Sequence, residues 1–348
     1  NGTSWSMFVP AVLSNSTGTS WSSGAEAGAS VSLSNFLVAS PSTAVGTINA
    51  ALARGRDLLM TPGIYDLSSP IVVTHPGTVV MGLGLATLVP QHGTAALMVL
   101  PDSGVKVSGL IIDAGPVNSP VLMSLGNAQS GGSGASDPDL VSDVFFRIGG
   151  AETTPTSATV SLIDNADGSI IDDLWGWRAD HNLQGTAGWT YNRGDTGVVV
   201  TGDNVTAYGL FVEHYQKSEV VWSGQNGTDI FFQNELPYDP PSQTEWEVSP
   251  SQLGYPAFLV TPNVTSFHSY GMGSYVVFIS TPAAAGANSL FDTEPFQVPT
   301  TAGVVLTNTF TVWIAGNGGD QSIVDGVGGP DTSTTPGTVE PVDLPSFG

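Results

Sequence analysis

The sequence predicts an all-β fold: a single-stranded parallel β-helix with a short N-terminal helix over its first coil. Three observations carry that expectation. The segments GDNVTAYGLFVE (Gly202 to Glu213) and GQNGTDIFFQNE (Gly224 to Glu235) align with Gly over Gly, Asn204 over Asn226, Leu210 over Phe232 and Glu213 over Glu235, an offset of 224 − 202 = 22 residues. A repeat of that length, made of β-rich runs between Gly/Asn/Asp turns, marks a solenoid in which equivalent residues stack roughly 4.8 Å apart. Similar strand-turn units recur from Gly77 to Gly316. The 348 residues are 41% hydrophobic, with a mean hydropathy of +0.14 and no cysteine, so an apolar core rather than disulfides must hold the chain.

Taken in order, residues 1–35 are rich in Ser, Gly, Thr and Asn and read as a linker with one strand at Met7–Leu13. Residues 36–327 form the β-helix domain. Ser42 or Thr43 is placed to cap a helix that runs through Ala53 and buries Val45, Ile48, Ala51 and Leu52, with Gly55 ending it. Asp57–Thr61 and Ile71–Val73 read as strands around the Pro62-Gly63 turn. A helix in that place covers the open end of a β-helix and keeps the first coil from pairing with another molecule. Coils follow at 77–84, 104–113, 141–150, 158–181, the two aligned segments, 262–280 and 303–316. Insertions at 126–139, 182–195, 236–256 and 281–300 interrupt them, and long loops on a regular solenoid commonly carry function. Residues 328–348 form a Pro/Thr/Gly-rich tail expected to wrap the surface or move freely.

The formal charge of −23, with Lys106, Lys217 and five Arg as the only permanent cations, argues against nucleic acid or an anionic membrane as partner. It suits a neutral substrate and an acidic medium; a halophile would share the balance, but the sequons favour the first. N-x-S/T sequons occur at Asn1, Asn15, Asn204, Asn226 and Asn263, pointing to a secreted eukaryotic glycoprotein. The chain begins at Asn1 without an initiator Met or a signal-like stretch, as a processed chain or fragment would. No apolar run approaches the roughly 18 residues of a membrane helix. The five His are scattered and no HExxH motif is present, so no metal or other cofactor is expected; a calcium site at Asp164, Asp167 and Asp172 is only weakly supported. GLGLAT (82–87) sits in a coil turn rather than a phosphate loop, and no GxSxG is present.

The chemistry gathers on Glu213 and Glu235. Solvated carboxylates on a solenoid face are common, but these two close apolar strands and would lie side by side. His214 and Lys217 adjoin one and Asn234 the other. Two carboxyls with separated proton affinities can hydrolyse a glycosidic bond, one donating to the leaving oxygen and the other activating water. Whether they stand at retaining or inverting separation is open at this point. LWGWRADH (174–181) lies one coil earlier in the same register, placing Trp177, Arg178, Asp180 and His181 beside the glutamates; an Arg178–Asp180 ion pair and a core position for Trp175 are the plain alternatives. Asp172-Asp173 reads as a turn. Trp222, Tyr238, Trp246, Tyr255 and Tyr270 are aromatics of the kind sugar rings stack on.

The runs INAALARG, DLLMTPGIYDLSSPIVV, VVMGLGLATLVP, LWGWRADH, DTGVVVTGDNVTAYGLFVEHYQK and FFQNELPYDPP resemble secreted proteins related to glycoside hydrolase family 55, over most of residues 5–330. Those proteins are β-1,3-glucanases and their relatives from fungi and actinomycetes. The resemblance implies a right-handed, pectate-lyase-like β-helix and an inverting mechanism. It implies Glu235 as general acid, Glu213 as its partner holding or activating water, and Asp180 as an accessory. Trp177, Trp222, Tyr238, His214, Gln233 and Tyr270 are then the candidates for contact with the β-glucan. The family has two β-helices side by side and this chain has coils for one, similar to the second, so the first half is expected to be missing or to be a separate cleaved chain. A polysaccharide lyase on the same fold and a non-catalytic glycan-binding or structural β-helix are the rival classes. The lyase suits the charge poorly, because −23 would repel a uronic acid polymer.

Overall fold

The computed structural model describes residues 5–13, 27–101, 103–127, 137–151, 154–181, 188–278, 289–334 and 340–348. The chain winds between two parallel sheets. The longer one stacks Phe36–Ala39, Asp57–Met60, Val79–Pro90, Lys106–Asp113, Leu140–Ile148, Ile170–Arg178, Thr206–Glu213, Gly227–Glu235, Phe267–Phe278 and Val304–Gly316 in sequence order. The facing sheet stacks Ile71–Val73, Leu97–Val99, Ser119–Leu125, Ser157–Asp164, Arg193–Val200, Val220–Trp222, Phe258–Val260 and Phe296–Gln297, again in order. Alternation between the two sheets makes a parallel β-helix, as the repeat predicts.

Register follows from which side chains must be inside. Val144, Leu174, Leu210, Phe232 and Met272 are consecutive partners across five strands, and all are buried. A slip of one residue would turn that column to solvent. The residue before each of these side chains turns the strand outward through left-handed backbone. The corner column reads Asp143 (φ 52°), Asp173 (φ 51°), Gly209 (φ 63°), Phe231 (φ 72°) and Gly271 (φ 79°), flanked by Gly109 (φ 70°) and Asn308 (φ 58°). Gly, Asn and Asp enter this region readily, whereas other L-residues meet a cost of about 1–2 kcal/mol. Phe231 is the exception.

The N-terminal helix spans Val45–Leu52 and buries Ile48, Ala51 and Leu52, with Val45 partly buried. Neither Ser42 nor Thr43 caps it: Ala44 takes the N-cap position, and Thr43 Oγ1 accepts from Ser40 N instead. The helix lies against the terminal strand of the facing sheet. There Asn49 behaves like a neighbouring strand, donating to Pro70 O at 2.8 Å and accepting from Val72 N at 2.9 Å. Within the described part of residues 1–35, Ser6–Pro10 pairs antiparallel with Gly28–Ser32. The expected tail is tied down at its end, where Val342–Phe347 adds antiparallel to Val304–Gly316. Within the 236–256 insertion, Glu247–Ser249 and Gln252–Leu253 form a small hairpin.

The core also contains acids. Asp229 occupies an inward position, fully buried, with Ser269 Oγ donating to it at 2.7 Å. Burial pushes its carboxyl up to about 7. Burial likewise raises Glu219 well above its ordinary value; burial first, then the charges of Asp320 and Glu294, raises Asp292, and burial first, then the charge of Asp331, raises Asp320. A carboxyl whose folded pKa lies above its unfolded value favours the folded state at low pH. The contribution of Asp229 is complete below roughly 4, where the unfolded carboxyl titrates, and is lost as pH rises through about 7. The urea midpoint should therefore fall between pH 4 and 7, and Asp229→Asn should flatten that slope. An unchanged slope in the variant would refute the assignment.

Candidate active site

Ile170–Arg178, Thr206–Glu213 and Gly227–Glu235 lie side by side in the long sheet. Trp177 is the direct partner of Glu213, and the 22-residue register of Thr206 with Thr228 carries Glu213 onto Glu235. A backbone bond from His214 N to Glu235 O (2.8 Å) closes the two strand ends together. The offset read from the sequence is thus the offset of the ladder. Asp180, just beyond its strand, completes a group of three carboxyls whose charges act on one another.

Their surroundings differ. Glu235 is raised to about 7, by burial first and then by the charges of Glu213 and Asp180. Tyr238 donates its hydroxyl to Glu235 Oε2. Glu213 is also raised by burial and by Asp180, but two donors oppose the shift: Trp175 Nε1 at 2.9 Å from its Oε2, and the Gln233 side chain. Hydrogen bonds to the charged form favour it. The two glutamates therefore stand in unlike surroundings: both are raised by burial, but the donors Trp175 and Gln233 oppose the rise at Glu213, while two neighbouring charges add to it at Glu235.

His214 lies beneath the group. Only 3% of its side chain is exposed, and its Nε2 is 3.9 Å from Asp180 Oδ1 and 3.8 Å from Glu235 Oε2. Its Nδ1 pairs with Leu236 O at 3.2 Å, and burial lowers the imidazole to about 4. It is a neutral floor packed edge-on against Tyr238, with ring centroids 4.2 Å apart, rather than the sugar contact expected of it. Asp180 accepts from Trp177 Nε1 at 3.2 Å and pairs with exposed His181 at 2.9 Å.

Several sequence expectations are corrected here. Trp222 is fully buried among Phe258 and Phe267 in the core, and Trp246 packs on Phe278, so neither can meet a sugar. Both end strands or loops as inward residues, which the aromatic count cannot reveal. Tyr255 packs against the core. Tyr270 is exposed but stands before the corner, opposite Ile230; Tyr275, five residues on, is the partner of Glu235, roughly 16 Å away along the strand. Trp175 is not a core residue but faces outward, stacked on Trp177 with centroids 5.4 Å apart. Lys217 pairs with Asp195 at 2.7 Å, away from Glu213. Asp164 is inward and occupied by Ala166 N and Ser169 Oγ, which takes it out of the suggested calcium set. Of the sequons, Asn204, Asn226 and Asn263 are exposed, with Asn226 Nδ2 donating to Asn204 Oδ1 at 3.3 Å; Asn1 and Asn15 lie outside the described residues.

Arg178 does not pair with Asp180. It is fully buried and forks onto both carboxylate oxygens of Asp239, at 2.9 and 3.0 Å. It also donates to Asn192 O, His214 O and Gly188 O. One guanidinium thus ties the 188–192 segment, the floor under the carboxylates and the loop bearing Tyr238 to one strand end. Sequence reasoning missed Asp239 because nothing local distinguishes it among thirty acids; its place between Tyr238 and two prolines is the one signal. Arg178→Lys, which keeps the charge and loses the fork, should lower the denaturation midpoint markedly, since breaking a buried pair costs about 3–5 kcal/mol. An unchanged midpoint would contradict this clamp.

The chain is thus a parallel β-helix that carries a cluster of carboxyls beside outward tryptophans. Residues 36–235 match the LAM55 pectate lyase-like domain, ending on Glu235 itself. The chain belongs to that family, the β-1,3-glucanase-related group its motifs resemble. It is 43% identical over 335 residues to an exo-beta-1,3-glucanase of Streptomyces sp. (strain SirexAA-E / ActE), covering 96% of this chain and 54% of the relative. The structure of sacteLam55A from Streptomyces sp. SirexAA-E superposes with a TM-score of 0.92 at 41% identity, covering 100% of this chain and 61% of that one. A variant of the same protein in complex with glucose gives a TM-score of 0.91 at 41% identity. The chain spans about half the length of the curated relative it matches. A first half on a separate cleaved chain finds no support here, since the solved relative carries its additional length on the chain that matches.

Proposed function

We propose that this chain carries the acid–base machinery of a secreted glycoside hydrolase that cleaves β-1,3-linked glucan with inversion. The observation that supports the acid–base machinery most is the pair Glu213 and Glu235 on neighbouring rungs, with unlike surroundings; inversion rests on the family resemblance alone. The glucanase relative and the glucose complex of its solved counterpart point to the same substrate class.

In this reading Glu235 gives its proton to the glycosidic oxygen as the bond to the anomeric carbon breaks. Water attacks that carbon from the opposite face, and its proton passes to Glu213, whose charged form Trp175 and Gln233 favour by donating to it. Asp180 adds negative charge that holds the proton on Glu235, and Tyr238 and Trp177 offer faces for the sugar. The coil is taken as right-handed, the sense that crossover connections between parallel strands adopt almost without exception. The Val45–Leu52 helix, through Asn49, is taken to shield the edge of the first coil, and Asn204, Asn226 and Asn263 to be glycan acceptors.

The pH dependence has a definite sign. Activity needs protonated Glu235, so it is lost as pH rises through about 7; it needs ionised Glu213, so it is also lost as pH falls through that residue's raised pKa. Glu235→Gln should lower kcat on laminarin about 10²–10⁴-fold. It should spare 2,4-dinitrophenyl β-laminaribioside, whose weakly basic phenolate departs without a proton, and should remove the alkaline limb. NMR should show the α-anomer as first product. Full laminarin activity in Glu235→Gln, or a β-anomeric product, would overturn the mechanism.

A further inference from the structure

Phe231 breaks the rule of its own column. The corner positions on the rungs either side are Gly209 and Gly271, and the others are Gly, Asp or Asn. Phenylalanine there holds φ at 72° while leaving its side chain out in water, 55% exposed. Folding gains little from an exposed ring in a disfavoured backbone region, and strain of this kind gathers where function needs it.

The ring's neighbours show what the position achieves. Phe231 meets Phe211 edge-on, with centroids 5.6 Å apart. Phe211 is the direct partner of Trp175, which stacks on Trp177 and donates to Glu213. Gly271 on the next rung lies beside the ring, where an added Cβ would make ordinary contact with Phe231 Cδ2 at 3.9 Å. An aromatic strip therefore runs from the carboxyls through Trp177, Trp175 and Phe211 to Phe231. Phe231 is four residues from Glu235, at most roughly 13 Å along the strand.

We infer that Phe231 and Phe211 form a distal sugar-binding platform, stacking on a pyranose ring of a β-glucan several units from the bond cleaved. This deepens the proposed function and rests on it. The strip is continuous with the carboxyl site, and exposed aromatic rings offer the flat apolar surface on which a sugar ring stacks. In the 22-residue repeat the sequence shows the signal: Gly209 aligns with Phe231.

Platform and scaffold residues give opposite signatures. Phe231→Gly should raise the thermal midpoint by about 2 °C, because the strain is removed. It should also weaken laminarihexaose binding to Glu235→Gln protein about 3- to 10-fold, measured by calorimetry, and leave laminaribiose binding unchanged. Phe231→Asn, which tolerates the same backbone, should weaken hexaose equally. Hexaose affinity unchanged in both variants overturns the platform, as does equal loss for hexaose and biose. Absence of hexaose binding to the parent protein overturns it too, and so does a change confined to self-association. If hexaose binds and weakens as stated while wild-type protein leaves laminarin uncut, the platform stands and the hydrolase reading falls.

Discussion

The stacking of parallel rungs at fixed register is the constraint on which the molecule depends. Once Leu174, Leu210, Phe232 and Met272 must share one interior column, every outward residue also acquires a fixed neighbour one strand spacing away. Glu213 and Glu235 are placed together by this rule, not by a contact that favours them. Their mutual repulsion is sustained by the burial energy of the columns behind them. The proximity that would be unfavourable on a loose surface becomes a stable property of a rigid one.

The same rigidity lets the surroundings differentiate two identical side chains. Trp175 and Gln233 donate to Glu213, while Glu235 has the charges of Glu213 and Asp180 beside it. The neutral imidazole of His214 underneath, lowered to about 4 by burial, adds no positive charge to reverse the arrangement. Arg178, which donates to His214 O, has its charge matched by Asp239. With buried acids such as Asp229 also raised, the fold itself favours media in which those carboxyls hold protons.

How much of this was legible in the sequence depends on range. The coil repeat, the register of Glu213 with Glu235 and the match of Trp175 with Phe211 could be read, because a solenoid turns sequence offsets directly into neighbours. The helix was placed within a few residues, though its start was set by Ala44 rather than by Ser42 or Thr43. Which way an aromatic faces was much less legible. Trp222 turned inward and Trp175 outward, and each is decided by strand parity relative to a corner residue that composition does not mark. The Arg178–Asp239 pair joins residues 61 apart through a loop, where no repeat links them.

The central claim is that two stacked glutamates hold different protonation states at one pH. Titrating the side-chain carboxyl carbons by NMR, with glutamate labelled at the δ-carbon, reads this directly. The account predicts one resonance titrating near 7 that vanishes in Glu235→Gln, and a second, from Glu213, titrating lower. Two resonances titrating together in the ordinary carboxylate range would contradict it.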